Sequence, residues 1–221
     1  MTPSRTRRFC GGAALALCAA GFFACSRAEP GISYWTMRLV YYEDEESVTQ
    51  RLSFFALVKD DDGPDDIEEL RLYNDFEGLS WTLNTDNWVM LQDNHNTWIG
   101  SHTISMAGAE TFPSGQWRAV IIDKSGERSE RSFGFDVPKE SKHPFPKFSA
   151  ADGRWSVDSA YPEHFAQCYN AAGAYLLTVP LTGTSGVIAN LGVPPETAAL
   201  AYWGDDTDAQ TAALTAPKPL H

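Results

Sequence analysis

The sequence predicts an all-β protein, and three features predict it. From Ser33 to Val137 apolar side chains alternate with polar ones at period two rather than 3.6. Aromatic and β-branched residues fill the alternating runs, and clusters of Asp, Asn, Gly and Glu interrupt them at short intervals. The stretch from Ser114 to Val137 reads as a strand, a tight turn and a returning strand.

Trp35, Met37, Leu39 and Tyr41 share one face of a first strand, which Glu43-Asp44-Glu45-Glu46 ends. A second strand places Leu52, Phe54, Ala56 and Val58 on one face. Asp60-Asp61-Asp62-Gly63-Pro64-Asp65-Asp66 must then be a loop, because neither strand nor helix tolerates that run. Leu70 and Leu72 mark a third strand, and Leu79, Trp81 and Leu83 repeat the rhythm after the turn at Glu77-Gly78. Short strands are expected around Trp88 to Leu91, Trp98 to Ile99 and His102 to Met106.

Trp117, Ala119 and Ile121 alternate into the turn Asp123-Lys124-Ser125-Gly126, and Arg131, Phe133, Phe135 and Val137 alternate out of it. The Gly115-Gln116-Trp117 start and the returning Ser132-Phe133-Gly134-Phe135 resemble the last two strands of bacterial immunoglobulin-like or fibronectin-III-like domains. The resemblance implies an antiparallel sandwich over residues 33–137. Roughly seven strands in about 105 residues is the right size for one. The paired cysteines of antibody domains are absent, so the likeness is to disulfide-free modules, and it carries a fold rather than a task.

Pro138 to Lys147 is rich in proline and charge and reads as a linker. In residues 148–204 a hairpin is expected around Asn170-Ala171-Ala172-Gly173, flanked by Phe165 to Tyr169 and Tyr175 to Val179. Trp155 to Val157, Val187 to Ala189 and Leu200 to Trp203 are further short strands. These are few for an independent core, so a small β-rich segment packed against the first domain is expected. From Asp205 to His221 the composition of Asp, Thr, Ala and Pro predicts an unstructured tail.

At the other end, Arg5, Arg7 and Arg8 precede an uncharged run from Phe9 to Ala24, the layout of a secretory signal over residues 1–24. That run is shorter than the roughly 20 residues a spanning helix needs. It ends Gly21-Phe22-Phe23-Ala24-Cys25, which resembles a lipobox, with the small Ala24 at the cut and Phe22 where Leu is usual; the relaxed form is most similar to spirochaetal lipoproteins. The resemblance implies lipid on Cys25, a short tethered linker over residues 25–32, and a protein held on the cell membrane or outer membrane, facing the periplasm or the cell surface. Cys18 is a poorer candidate, since Leu17 stands where a small residue is needed. Cysteine usage agrees: Cys10 and Cys18 leave with the signal, Cys25 takes lipid, and Cys168 remains alone without a disulfide partner.

Removing the three signal arginines leaves 14 basic residues against 29 acidic ones, a net charge near −15. Nucleic acid and anionic lipid headgroups are poor partners for such a charge, which serves solubility first.

The search for chemistry gives little. No nucleophile elbow, phosphate-cradling glycine loop, zinc spacing or paired-cysteine motif occurs, and no cofactor or metal is expected. The five aspartates between Asp60 and Asp66 are of the type that holds calcium but lack the spaced pattern with a distal glutamate, so a solvated turn is expected. Trp81, Trp88 and Trp98, with His95 and several asparagines nearby, are of the type that forms a stacking face for sugar or peptide, although alternation turns Trp81 inward. The expectation is therefore a non-enzymatic binding or structural lipoprotein of the envelope that meets an envelope or host protein. The alternative is a carbohydrate or small-ligand binder using the Trp81–Trp98 region.

Overall fold

The computed structural model describes residues 28–44, 47–93, 96–108 and 111–220. Among these the chain is almost entirely strand and connecting loop, and no helix is long and apolar enough to cross a membrane.

The alternating runs form two packed sheets. In the first, β1 (Gly31–Glu43) pairs with β2 (Val48–Lys59), β2 with β6 (Asn96–Ile104), and β6 with β5 (Val89–Asp93), all antiparallel. In the second, β4 (Leu79–Leu83), β3 (Ile67–Asn74), β7 (Gly115–Asp123) and β8 (Arg128–Phe135) lie in that order. Strands one, two, six and five facing four, three, seven and eight is the strand arrangement of an immunoglobulin-like sandwich. A bulge between Ile32 and Tyr34 holds Ile32 and Trp35 on the same face, so β1 presents Ile32, Trp35, Met37, Leu39 and Tyr41 to the core. Leu52, Phe54, Ala56 and Val58 answer from β2, and Leu70, Leu72, Trp117, Ala119, Ile121, Phe133 and Phe135 from the facing sheet. Phe133 stacks on Trp35 at 4.2 Å and on Phe54 at 5.6 Å between ring centres. Each large apolar side chain buried this way contributes about 1.5–3 kcal/mol.

The C-terminal half is a second, smaller sandwich. The expected hairpin is β11 (Glu163–Tyr169) and β12 (Tyr175–Pro180), and β11 pairs on its other side with β14 (Ala199–Asp206). Facing them are β9 (Lys147–Ala151), β10 (Arg154–Asp158) and β13 (Ser185–Val187). Trp155, Val157, Ala166, Cys168, Leu200 and Tyr202 form the core between the layers. Cys168 is fully buried there, and burial pushes its thiol pKa up, which suits packing rather than reactivity.

The two halves share one sheet. β15 (Thr211–Leu214) pairs antiparallel with β14 and parallel with β1, giving a continuous order β12-β11-β14-β15-β1-β2-β6-β5. β16 (Lys218–Pro219) then returns beside Ala199 and Leu200. The run from Asp205, expected from its composition to be an unstructured tail, is therefore the joint of the molecule. Thr211, Ala212, Ala213 and Leu214 are at most 1% exposed. Small side chains looked like tail composition; they are there because this strand is buried on both faces, with Ala212 and Leu214 packed with Val40 and Trp203 in one core and Ala213 fully buried on the other side.

The proline-rich connection is also tied down. His143 Nε2 lies 2.7 Å from Asp206 Oδ2, and the Ser141 hydroxyl donates to the His143 carbonyl at 2.7 Å. Tyr161 packs flat over β14 at Gly204, where a Cβ would come within 2.8 Å of the tyrosine ring.

Candidate functional site

The strand alternation that fills the first core leaves Val40 and Tyr42 of β1, Phe55 of β2 and His102 of β6 on the opposite face of the shared sheet. The pairing of β15 with β1 continues that face through Leu214 and Ala212 to Trp203 and Ala201 of β14 and Phe165 and Tyr169 of β11. The sheet curls until the two ends of this face meet. The His102 ring stands 4.6 Å from Phe55 in its own half, and 4.8 Å from Trp203 and 5.9 Å from Tyr175 in the other. Val40, Ala201, Trp203, Ala212 and Leu214 make a third apolar core inside the fold. Arg38 of β1 reaches Asp205 of β14 at 3.0 Å across the same face.

Beside that core the two halves leave a cleft of about 300 Å³, walled by Tyr42, His102, Tyr169 and Tyr175 with Asn87 and Ser101 among the polar contributors. Among the described residues no Asp, Glu, Lys or Arg lines it, in a chain of net charge −12. His102 is the chemically unsettled residue. Its Nδ1 lies 3.4 Å from Ser53 Oγ, while Nε2 is sealed from solvent and has no partner among the described residues. Burial holds its pKa down to about 4, so the ring is neutral at pH 7. Tyr169 donates to Gln167 Oε1 at 2.6 Å, and burial first of all lifts its pKa well above the usual phenol range. The Tyr175 hydroxyl lies 2.9 Å from Thr178 Oγ1.

The structure does not bring together the tryptophans read as a stacking face. Trp81 of β4 points into the first sandwich, stacked on Trp117 at 5.5 Å with its indole N–H donating to the Ser105 carbonyl at 2.8 Å. Trp88 packs against the same core. Trp98 is on the other sheet and, being next to the fully buried Ile99, faces outward, edge-on to the exposed Tyr34 at 6.0 Å. Closeness in sequence misled because a strand sends adjacent residues to opposite faces. His95 and Cys25 lie outside the described residues. Sequence reading missed Tyr42, His102, Tyr169 and Tyr175, and no spacing motif marks them. They converge only through the pairing of β15 with β1.

A second hollow, of about 550 Å³, lies on the outer face of β3, β7 and β8 and carries Arg71, Arg118 and Arg128. Arg118 is clamped by both Asp75 oxygens at 2.8 and 2.9 Å, meets Glu130 at 3.2 Å, and sits 4.5 Å over the Tyr73 ring. Arg71 is held by Glu69. Most of this positive charge is matched internally, so the groove is a weaker candidate than the cleft.

No protein-family model matches the sequence, and no curated protein does. Among solved structures, dimeric latent PorU from Porphyromonas gingivalis is similar over 87% of this chain at 14% identity and a TM-score of 0.34, and the chain spans about a fifth (20%) of that structure. The two-domain DIP-gamma IG1+IG2 is similar over 87% of this chain and 98% of its own, at 11% identity and a TM-score of 0.25. Murine CEACAM1b is similar over 85% and 99%, at 11% identity and a TM-score of 0.23. The immunoglobulin-like assignment of the first half stands on its own strand order.

Proposed function

We propose that this protein is a non-enzymatic binding module of the bacterial envelope, tethered by lipid on Cys25, whose binding site is the cleft between its two sandwiches. The observation that carries the reading is the wall of tyrosines and neutral polar side chains around His102, which carries no charged side chain among the described residues. Such a wall offers aromatic faces and neutral hydrogen-bonding groups, which suits a small uncharged ligand bearing hydroxyl groups, a sugar ring above all. At about −0.3 kcal/mol per heavy atom, a monosaccharide of about a dozen heavy atoms binds in the millimolar range.

Catalysis is not supported by the same groups. Ser53 is the hydroxyl beside His102, but it is buried, and an imidazole with a pKa of about 4 is a poor general base at neutral pH. The tether reading rests on Ala24-Cys25 at the end of the uncharged run.

Titrating the full chain in detergent with glucose, N-acetylglucosamine and their disaccharides tests the cleft, with tryptophan fluorescence as the readout because Trp203 lies against His102. Saturable quenching by at least one sugar, lost in Tyr175→Ala, is expected. Quenching by none of them, or quenching that survives Tyr175→Ala, removes the cleft as the site.

A further inference from the structure

On the cleft reading above, we propose that the ring seated in the cleft is one unit of a longer chain of uncharged sugars. The further units lie along an apolar strip on the outer face of β1, β2, β6 and β5, with Trp98 and Tyr34 as the stacking side chains.

An antiparallel sheet packed on one face normally turns polar side chains outward on the other. Here the register sets Tyr34, Leu57, Trp98 and Leu91 side by side across the four strands, and Thr36, Phe55, Gly100 and Val89 in the row beside them. Neither row holds a charged residue, in a chain of net charge −12. The strip is open to solvent: Tyr34 is 60% exposed, and Leu57, Trp98 and Leu91 are half-buried. The Tyr34 and Trp98 rings meet edge to face at 6.0 Å. Among the described residues neither the Tyr34 hydroxyl nor the Trp98 indole N–H has a hydrogen-bond partner. Rigid amphipathic rings with free polar tips, beside aliphatic side chains, suit the apolar faces and hydroxyl groups of sugars.

Continuity with the cleft selects the occupant. Val89 belongs both to the second row and to the cleft wall, and His102 follows Gly100 on the same face of β6. Gly100 keeps the passage between them low. A Cβ there would come within 2.7 Å of the Phe55 ring carbon Cγ, so no side chain can stand between Trp98 and His102. Trp98 and His102 are four residues apart on one strand, about 13 Å at roughly 3.3 Å per residue. A single sugar ring cannot bridge that span, whereas a short chain can. A folded partner matched to the open strip could not also enter the cleft between the two halves. An acidic polysaccharide would find no cation in either row.

The test compares chain lengths on the full protein, held in a detergent without a sugar headgroup so that the detergent does not compete. The probes for titration calorimetry are glucose, cellotetraose, N-acetylglucosamine and chitotetraose. At least one tetrasaccharide is expected to bind about tenfold or more tightly than its own monosaccharide, because units held at linked subsites reinforce one another. Trp98→Ala is expected to bring that ratio down to about one. Tyr34→Ala, which truncates a largely exposed side chain, is expected to lower it severalfold, and it decides alone should Trp98→Ala not fold. Tyr175→Ala is expected to weaken binding of both lengths.

Equal affinity for monosaccharide and tetrasaccharide, lost in Tyr175→Ala, would overturn the strip and leave the cleft reading standing. A length effect that survives truncation of Trp98 and Tyr34 would do the same. Tetrasaccharide binding that needs Trp98 but not Tyr175 would overturn the cleft reading and, with it, the joint site. Binding of no sugar, or equal binding of a neutral glycine–serine peptide of similar length, would overturn the sugar assignment.

Discussion

Leu39 of β1 and Thr211 of β15 lie side by side in the parallel pairing that turns two sandwiches into one sheet. Neither half can unfold without exposing the face it shares with the other. Heating the full chain is therefore expected to give a single cooperative calorimetric transition. Leu214, 1% exposed in the joint, should cost about 2 to 5 kcal/mol when changed to Ala. Two separate transitions, with only one shifted by Leu214→Ala, would show that the halves are energetically independent.

The first core has its own anchor in Trp117, 1% exposed and stacked on Trp81. Trp117→Ala should cost about 3 to 5 kcal/mol by denaturant unfolding, as large core truncations do. The Trp117 indole N–H is buried without a partner among the described residues, so Trp117→Phe removes an unmet donor along with some volume and should cost much less. An alanine variant within about 1 kcal/mol of the unchanged protein would mean that the facing sheets close over the gap.

Cys25→Ala should abolish incorporation of radiolabelled fatty acid and leave the chain uncleaved or unattached. The expectation follows from Ala24-Cys25 at the end of the uncharged run. Labelling that persists in the variant would move the lipid to another cysteine.

How far the sequence carried the fold follows from what alternation can and cannot encode. Period two identified the core-facing residues of β1, β2, β3, β4, β7 and β8 correctly, because large apolar side chains recur there at every second position, although Val40 and Phe55 show that β1 and β2 are buried on their other face too. It failed at β15, whose Thr211-Ala212-Ala213-Leu214 is buried on both faces and therefore shows no alternation. Asp152-Gly153 was a readable hairpin signal that went unused: both residues adopt positive φ, at 50° and 70°, and join β9 to β10. The cleft was illegible for a different reason. His102 and Tyr175 meet only because the sheet curls, and curl is a property of the assembled strands.

His102 gives the last prediction, because its environment fixes a sign. Burial depresses its pKa from 6.5 in the unfolded chain to about 4 in the fold. Between those values the unfolded chain binds a proton that the fold rejects, so stability rises with pH across the window and is lost as pH falls from 6.5 toward 4. The full shift corresponds to a few kcal/mol, less in practice because the ring is only half-buried and water relaxes around it. His102→Phe keeps a flat ring between Phe55 and Trp203 and removes both the titration and the unmet Nε2. Denaturant unfolding at a series of pH values should therefore show the variant losing less stability than the unchanged protein between pH 6.5 and 4, with the two curves parallel above pH 7. Curves that stay parallel across the whole range would mean that the ring is hydrated enough to titrate normally. Nε2 would then be open to water rather than sealed in the wall of the cleft.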